Sequence, residues 1–466
     1  MDAPRDRHDE IVERIRAQVE RAREAGERPR ITHGSKRVVR SEAFEHTIDV
    51  GGLDSVLAVD PDERTVTVEP NVSMRELADA TLAQGLVPRV VPEFPGITVG
   101  GAIQGAGGES GSFRVGGFHR MLESAEYVLG DGRVVETSPD EHEEIFYGAS
   151  CSCGSIGIIT RATLSLVPAD RAVELQYRRV HSFEEMLDEI RRVSAKPGDV
   201  DFLDGVVFRE DLGVVMVGEM VPPGDSFPTA TVSEPDDEWF YLQARERALE
   251  PGESVDQIPI RDYLFRWDRG AFWTGKYVFE RVGVPYNRIA RQLLDPYFHT
   301  APMYHALHAT DIAFDFVIQD ICMPIETVGE FVDWIDEELG IAPLWICPGK
   351  NGDPAFLSPA ALETGMVVNV GVWGPVPDGM DFVECNRELE RVITELRGRK
   401  ALYSHQFYPE EEFWAKFDEE RYRRLRRECG AVEVFDDMWE KTHTDEFEEP
   451  SIRKAWREVV AAPWRA

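Results

Sequence analysis

The residues most suggestive of chemistry lie in the stretch 91–110, VPEFPGITVGGAIQGAGGES, which runs on into Gly111. Gly100, Gly101, Gly105, Gly107, Gly108 and Gly111 crowd into it. A glycine costs a helix or strand about 0.5–1 kcal/mol relative to alanine, and folds accept that where main chain must approach something closely. Without Cβ atoms, successive N–H groups can converge on phosphate oxygens, forming an anion nest that needs no cationic side chain. The stretch is not a P-loop, because no Gly-Lys-Ser/Thr follows. Nor is it a Rossmann fingerprint, because strand, glycines, helix and distant acid are out of order. Glycine spacing alone leaves a structural turn and a phosphate-binding loop both open.

Cys151 and Cys153 form a Cys-x-Cys beside a second small-residue loop. Zinc takes four ligands, and no further Cys or His pair follows at workable spacing, so both are expected to pack as small apolar residues with no metal. Six cysteines are too sparse for a disulfide scaffold and fit a reducing compartment.

The elements that would position these residues read clearly in places. Ile11, Ile15 and Val19 recur every fourth residue, and Gly26 stands where a helix would stop, so 8–26 is expected to be an amphipathic helix. From 31 to 168 short β-rich runs alternate with Gly, Asp and Pro turns. One helix interrupts them, with Ser73 as N-cap, Glu76 at the capping-box position and Gly85 at its end. Helical patterns such as SFEEMLDEIRRV and ETVGEFVDWIDEEL then mix with strand-like GVVMVGEMV, LWICP and MVVNVGVWG. The last part is mostly helical, with EEEFWAKFDEERYRRLRREC expected as one helix.

The 466 residues suffice for two or three domains, and the apolar content excludes bulk disorder. A net charge of −35 opposes nucleic acid and anionic membranes as partners. Only eight lysines accompany this charge, with acids spread throughout, which suggests adaptation to high salt. Melting temperature should then rise between about 0.1 and 2 M KCl as self-repulsion is screened. No apolar leader opens the chain and no run approaches the roughly 18 apolar residues of a membrane span, so a cytoplasmic protein is expected.

The order of TVTVEPNVSMRELADATLAQG, TVGG, VLGDGRVV, IFYG and CGSIGIIT before LVP resembles the FAD-binding domain of the vanillyl-alcohol-oxidase/PCMH flavoprotein family. IPIRDYLFRWDRGAFW, VIQDICMP, LWICP, LYSHQF and EEFWAKFD extend the resemblance to that family's Δ24-sterol-reductase branch, with the branch's N-terminal membrane anchor absent. The implied fold is α+β: a helix and PCMH-type FAD-binding domain over 1–171, a cap or substrate domain over 172–400, and a helical segment over 401–466 returning toward the flavin. The implied cofactor is non-covalent FAD, with NADPH or NADH as donor. His33 and His119 would be the histidines to link it, against the habit of this branch.

The resemblance implies cofactor contacts from Gly34 and Ser35, where THGSKR replaces the usual RGGGHS-type loop, and from Pro92. It implies further contacts from Thr98, Val99, Gly100, Gly101, Ala102, Ile103, Gln104, Gly105, Ala106, Gly107, Gly108, Glu109 and Ser110, then Gly154, Ser155, Gly157 and Ile158. Arg266, in the run with Arg261, Tyr263, Arg269, Phe272 and Trp273, is the guanidinium expected to stabilise a reduced, anionic flavin. Tyr403 and His405 are the expected proton donors, although the branch carries an acid in place of His405 and a tyrosine in place of Phe407. Gln319 and Asp320 fit the branch too, with Asp320 equally suited to capping a helix. The implied reaction is reduction of a carbon–carbon double bond in a small apolar, isoprenoid- or sterol-like substrate. The alternatives are oxidation of an alcohol or hydroxy acid, and a flavoprotein without catalysis.

Overall fold

The protein is described from a computed structural model covering residues 3–32, 46–224, 229–250, 252, 254–310 and 312–444. His33, Gly34 and Ser35 lie outside the described residues. The first helix, Ala3–Ala25, buries Ile11, Ile15 and Val19 and ends at Gly26, whose φ is +67°. On the same buried face His8 is held between Glu69 (2.8 Å) and Glu126 (3.0 Å), which ties the helix to the sheet beneath it.

That sheet has five antiparallel strands in the order Val56–Asp60, Thr65–Val68, Gly157–Ser165, Leu122–Leu129, Val134–Thr137. The helix Met74–Leu82 carries the expected capping box of Ser73 and Glu76. Arg30–Thr32 pairs in parallel with Thr47–Asp49.

A second, eight-stranded antiparallel sheet runs Ser254–Pro259, Ala172–Val180, Leu212–Val221, Phe202–Arg209, Leu344–Gly349, Val367–Pro375, Phe316–Pro324, Arg399–Lys400. Period-two alternation divides its side chains between two faces. Val317, Ile321 and Met323 pack with Val368, Val370 and Val372 under the helices Phe183–Ala195, Val328–Trp334 and Phe382–Glu395. Ile318, Asp320 and Cys322, with Asn369 and Trp373 from the neighbouring strand, point instead toward the first domain. Asp320 therefore sits within a strand and caps no helix.

The expected single helix of 410–429 is two helices, Glu410–Trp414 and Glu419–Glu428, because the Asp418 carboxylate accepts the Arg421 N–H at 3.0 Å and starts a new N-terminus. This segment returns to the first domain, where the Tyr422 hydroxyl donates to Ser155 Oγ at 2.8 Å. Among the described residues no helix is long and apolar enough to cross a membrane.

Candidate active-site cavity

Between the two sheets lies a cavity of about 1110 Å³, above the usual range for one drug-sized ligand. The first domain contributes main-chain-rich walls from the glycine stretch and from Gly154, Gly157 and Ile158. The second contributes Phe272, Phe279, Leu294, Phe298, Met303, Leu307 and Trp373. Ala271 and Phe272 have φ of +44° and +62°, a conformation that costs non-glycine residues and persists only where packing imposes it. Here the Phe272 ring is fixed against Trp267 (4.4 Å) and Trp373 (4.2 Å).

The glycine stretch forms a short helix, Val99–Gln104, followed by a turn. Its main-chain donors are largely engaged within the protein: Val99 N–H to Val72 O (2.9 Å), Gly100 to Pro70 O (2.8 Å), Gly101 to Thr98 Oγ1 (3.2 Å), Gly105 to Gly101 O (2.8 Å), Gly107 to Ala102 O (2.9 Å). The nest expected from the glycines is thus mostly closed on itself. Several glycines answer packing instead; a Cβ on Gly111 would fall 2.0 Å from the Arg89 carbonyl oxygen, and one on Gly100 2.7 Å from Pro70 Cβ. Ala106 and Gly108 keep N–H groups without a partner among the described residues.

Of the residues expected at the cofactor, Pro92, Thr98, Gly100, Gly101, Ala102, Gln104, Gly105, Ala106, Gly107, Gly108, Gly154, Gly157 and Ile158 line the cavity. Val99, Ile103, Glu109, Ser110 and Ser155 do not: the first two are core side chains of the short helix, and the others face inward to partners.

Whether an FAD fits can be judged from donors left over. Gln104 Oε1 accepts from Ser152 Oγ (3.0 Å) and from the Gly154 N–H (2.9 Å), while its Nε2 is buried with no partner among the described residues. Beside it the buried Lys441 ammonium donates to the carbonyls of Gly154 (2.8 Å) and Cys153 (3.1 Å) and also lines the cavity. Unfilled donors, bare main chain and an apolar wall suit a dinucleotide with a flat aromatic end.

Arg266 does not reach the cavity. It is fully buried, donates to Glu109 Oε1 at 2.7 Å and Asp204 Oδ2 at 2.8 Å, and stacks on Tyr263 at 4.1 Å. Because Glu109 follows the glycine turn and Asp204 lies in the second sheet, the guanidinium clamps the domains together; its charge is already matched by two carboxylates. His405 is also off the cavity, its ring packed among Phe314 (5.0 Å), Phe382 (5.2 Å) and Phe407 (6.4 Å).

Tyr403 does line the cavity, and its hydroxyl donates to Asp320 Oδ2 at 2.7 Å. Asn369 Nδ2 donates to the other oxygen at 2.8 Å. Burial raises the Asp320 carboxyl to about 6, with the two hydrogen bonds holding it down. Glu93 is the other carboxyl in the wall and has no cation partner among the described residues. Burial raises it to about 8, helped by the negative charges of Glu109 and Asp320 and opposed by its own N–H and by Arg266. Sequence reasoning passed over Glu93, although a single acid inside the apolar run VVPEFPGI signals a carboxyl held against apolar surroundings; the residue is half-buried in the cavity wall.

Residues 10–138 match the FAD binding domain family. The Delta(24)-sterol reductase of Mus musculus is 27% identical over 452 residues, 93% of this chain and 86% of that protein. The Arabidopsis thaliana enzyme of the same name is 28% identical over 464 residues, 92% and 82% of the two chains. Cytokinin dehydrogenase 4 of rice is 32% identical over 135 residues, 29% of this chain and 26% of that one.

Proposed function

We propose that this chain, which carries a PCMH-type FAD-binding domain and is homologous over most of its length to Δ24-sterol reductases, is an oxidoreductase that adds a hydride and a proton across a carbon–carbon double bond. The substrate is small and apolar, of isoprenoid or sterol type, and the electron donor is NADPH or NADH. The observation that carries this reading is an apolar, aromatic-walled cavity with the Glu93 and Asp320 carboxyls in its wall, both raised by burial.

When bound, FAD supplies the hydride chemistry. Gln104, Ala106, Gly108, Gly154, Gly157 and Ile158 are the residues that would hold it. The rest falls to this chain. An isolated trisubstituted alkene accepts hydride poorly until a proton builds cationic character on it, so a carboxylic acid in a dry pocket is needed. Glu93 suits that part better than Tyr403, whose hydroxyl burial raises well above its ordinary range and whose proton is committed to Asp320. Burial is the main cause that raises Glu93, and Asp320, ionised above about 6, adds to it after Glu109 and stabilises positive charge developing on the alkene. The faces of Phe272 and Trp373 contribute in the same sense and exclude water.

Anaerobic mixing of the FAD-loaded protein with NADPH or NADH, then with a Δ24-sterol, tests the proposal. Bleaching of the oxidised-flavin band by the nicotinamide and its return with the alkene is the expected result. Bleaching by hydroxy acids alone would transfer the protein to the alcohol-oxidising alternative, and no bleaching by either would leave a flavoprotein without catalysis.

A further inference from the structure

Lys441 lies on the short helix Met438–Thr442, far along the chain from the glycine stretch, yet its side chain enters the cavity wall at Cys153 and Gly154. A buried ammonium normally holds a carboxylate, since desolvating an unpaired charge is costly. Arg266, Arg269, Arg291 and Lys400, all buried, do so with Glu109 and Asp204, Asp295, Glu238 and Glu390. Lys441 and Arg426 hold only carbonyls among the described residues, and of these two only Lys441 lines the cavity. An ammonium has three donors, and carbonyls take two of them. The third has no partner among the described residues, and Lys441 lines the same cavity as Gln104, Ala106 and Gly108, whose Nε2 and N–H groups likewise have none among the described residues. The glycine turn, with most of its N–H groups engaged, offers little positive potential of its own.

We infer that Lys441 is the counter-cation for the diphosphate of the bound dinucleotide, reaching it from the C-terminal segment over the turn at Cys153 and Gly154. The inference rests on the FAD reading above and adds to it a residue outside the FAD-binding domain, so that cofactor binding also fixes the returning segment in place.

The charge surroundings make the contact sensitive to pH. Burial lowers Lys441 to about 7; Arg30 and Arg426 push the same way, while Cys153 and Asp436 oppose them. Arg30 is itself paired with Asp436 at 3.2 Å, and Phe435 faces the ammonium at 5.9 Å without charge. A diphosphate favours the charged form, so its arrival raises the lysine and draws in a proton when the surrounding pH exceeds about 7. Affinity is complete below that pH and declines above it.

The test is titration of the full-length, flavin-stripped protein with FAD and with riboflavin, which lacks the diphosphate. Lys441→Met should weaken FAD by about 10- to 100-fold, the value of a charge-assisted hydrogen bond, with riboflavin unchanged. Lys441→Arg should keep FAD affinity and remove its decline between pH 7 and 9. Calorimetry of the wild type in buffers of differing ionisation enthalpy needs no variant, and should show proton uptake on FAD binding near pH 8. Equal loss of FAD and riboflavin, loss of neither, or binding without proton uptake overturns the inference. A wild type that takes up neither flavin removes the FAD reading beneath it.

Discussion

Tyr403→Phe removes the hydrogen bond to Asp320, together with a longer one of 3.4 Å accepted from Trp373 Nε1, and leaves the ring that lines the cavity in place. Asp320 lies at about 6 because burial pushes it up while Asn369 and Tyr403 hold it down. A hydrogen bond to an ionised group contributes about 1.5–3 kcal/mol, and a pKa unit is about 1.4 kcal/mol, so losing the tyrosine bond should raise Asp320 by about 1–2 units. If catalysis needs Asp320 ionised and Glu93 protonated, the wild type works in a window from about 6 to about 8. The acid limb is the one that moves: it climbs toward the alkaline limb, the window closes, and the rate at pH 7 falls about two- to tenfold. The assay is the pH dependence of single-turnover alkene reduction by FAD-loaded, pre-reduced protein, with an infrared titration of the carboxyl band alongside. An acid limb that stays at about 6 in the variant would mean that the Tyr403 hydroxyl does not hold the Asp320 carboxyl down.

Glu93→Gln should leave FAD uptake and nicotinamide-driven bleaching intact while slowing saturated-product formation by about 100-fold or more, the usual worth of a general acid; normal product formation would exclude Glu93 as donor. Arg266→Ala strands Glu109 and Asp204 as buried carboxylates and should cost about 3–5 kcal/mol in urea unfolding, whereas a loss below about 1 kcal/mol would mean the clamp is not closed in solution. His8, raised from 6.5 to about 9 by Glu126 and Glu69 against the lowering effect of burial, contributes up to about 3 kcal/mol that is fully present below 6.5 and lost as pH rises through 9. In His8→Gln that alkaline decline should flatten; an unchanged slope would show that the pairing does not hold the helix.

Local signals in the sequence carried the fold a long way. The capping box at Ser73 and Glu76, the four-residue spacing ending at Gly26 and the alternating strand runs all depend on near neighbours, and all form as read. The break at Asp418 also had a local sign, an acid able to cap a new helix, but the helical pattern on either side hid it. The site was less legible because its parts meet only through tertiary structure. Arg266 looked free for a ligand until the fold supplied Glu109 and Asp204, residues far from it along the chain. Asp320 acquires its setting from alternation in one strand and from Asn369 and Tyr403 beyond it. Glycine spacing pointed to a stretch that lines the cavity, yet overstated its main-chain donors, since nothing in the spacing shows that Val72, Pro70 and Thr98 accept them.

The most direct measurement is mass analysis of the product when the full-length protein, loaded with FAD, is incubated anaerobically with NADPH and a Δ24-sterol. The expected product is heavier by two hydrogens, saturated at the side-chain double bond, formed by the wild type and scarcely by Glu93→Gln. Unaltered sterol recovered from a protein whose flavin the nicotinamide does reduce, or equal product from wild type and variant, would contradict the proposed reduction.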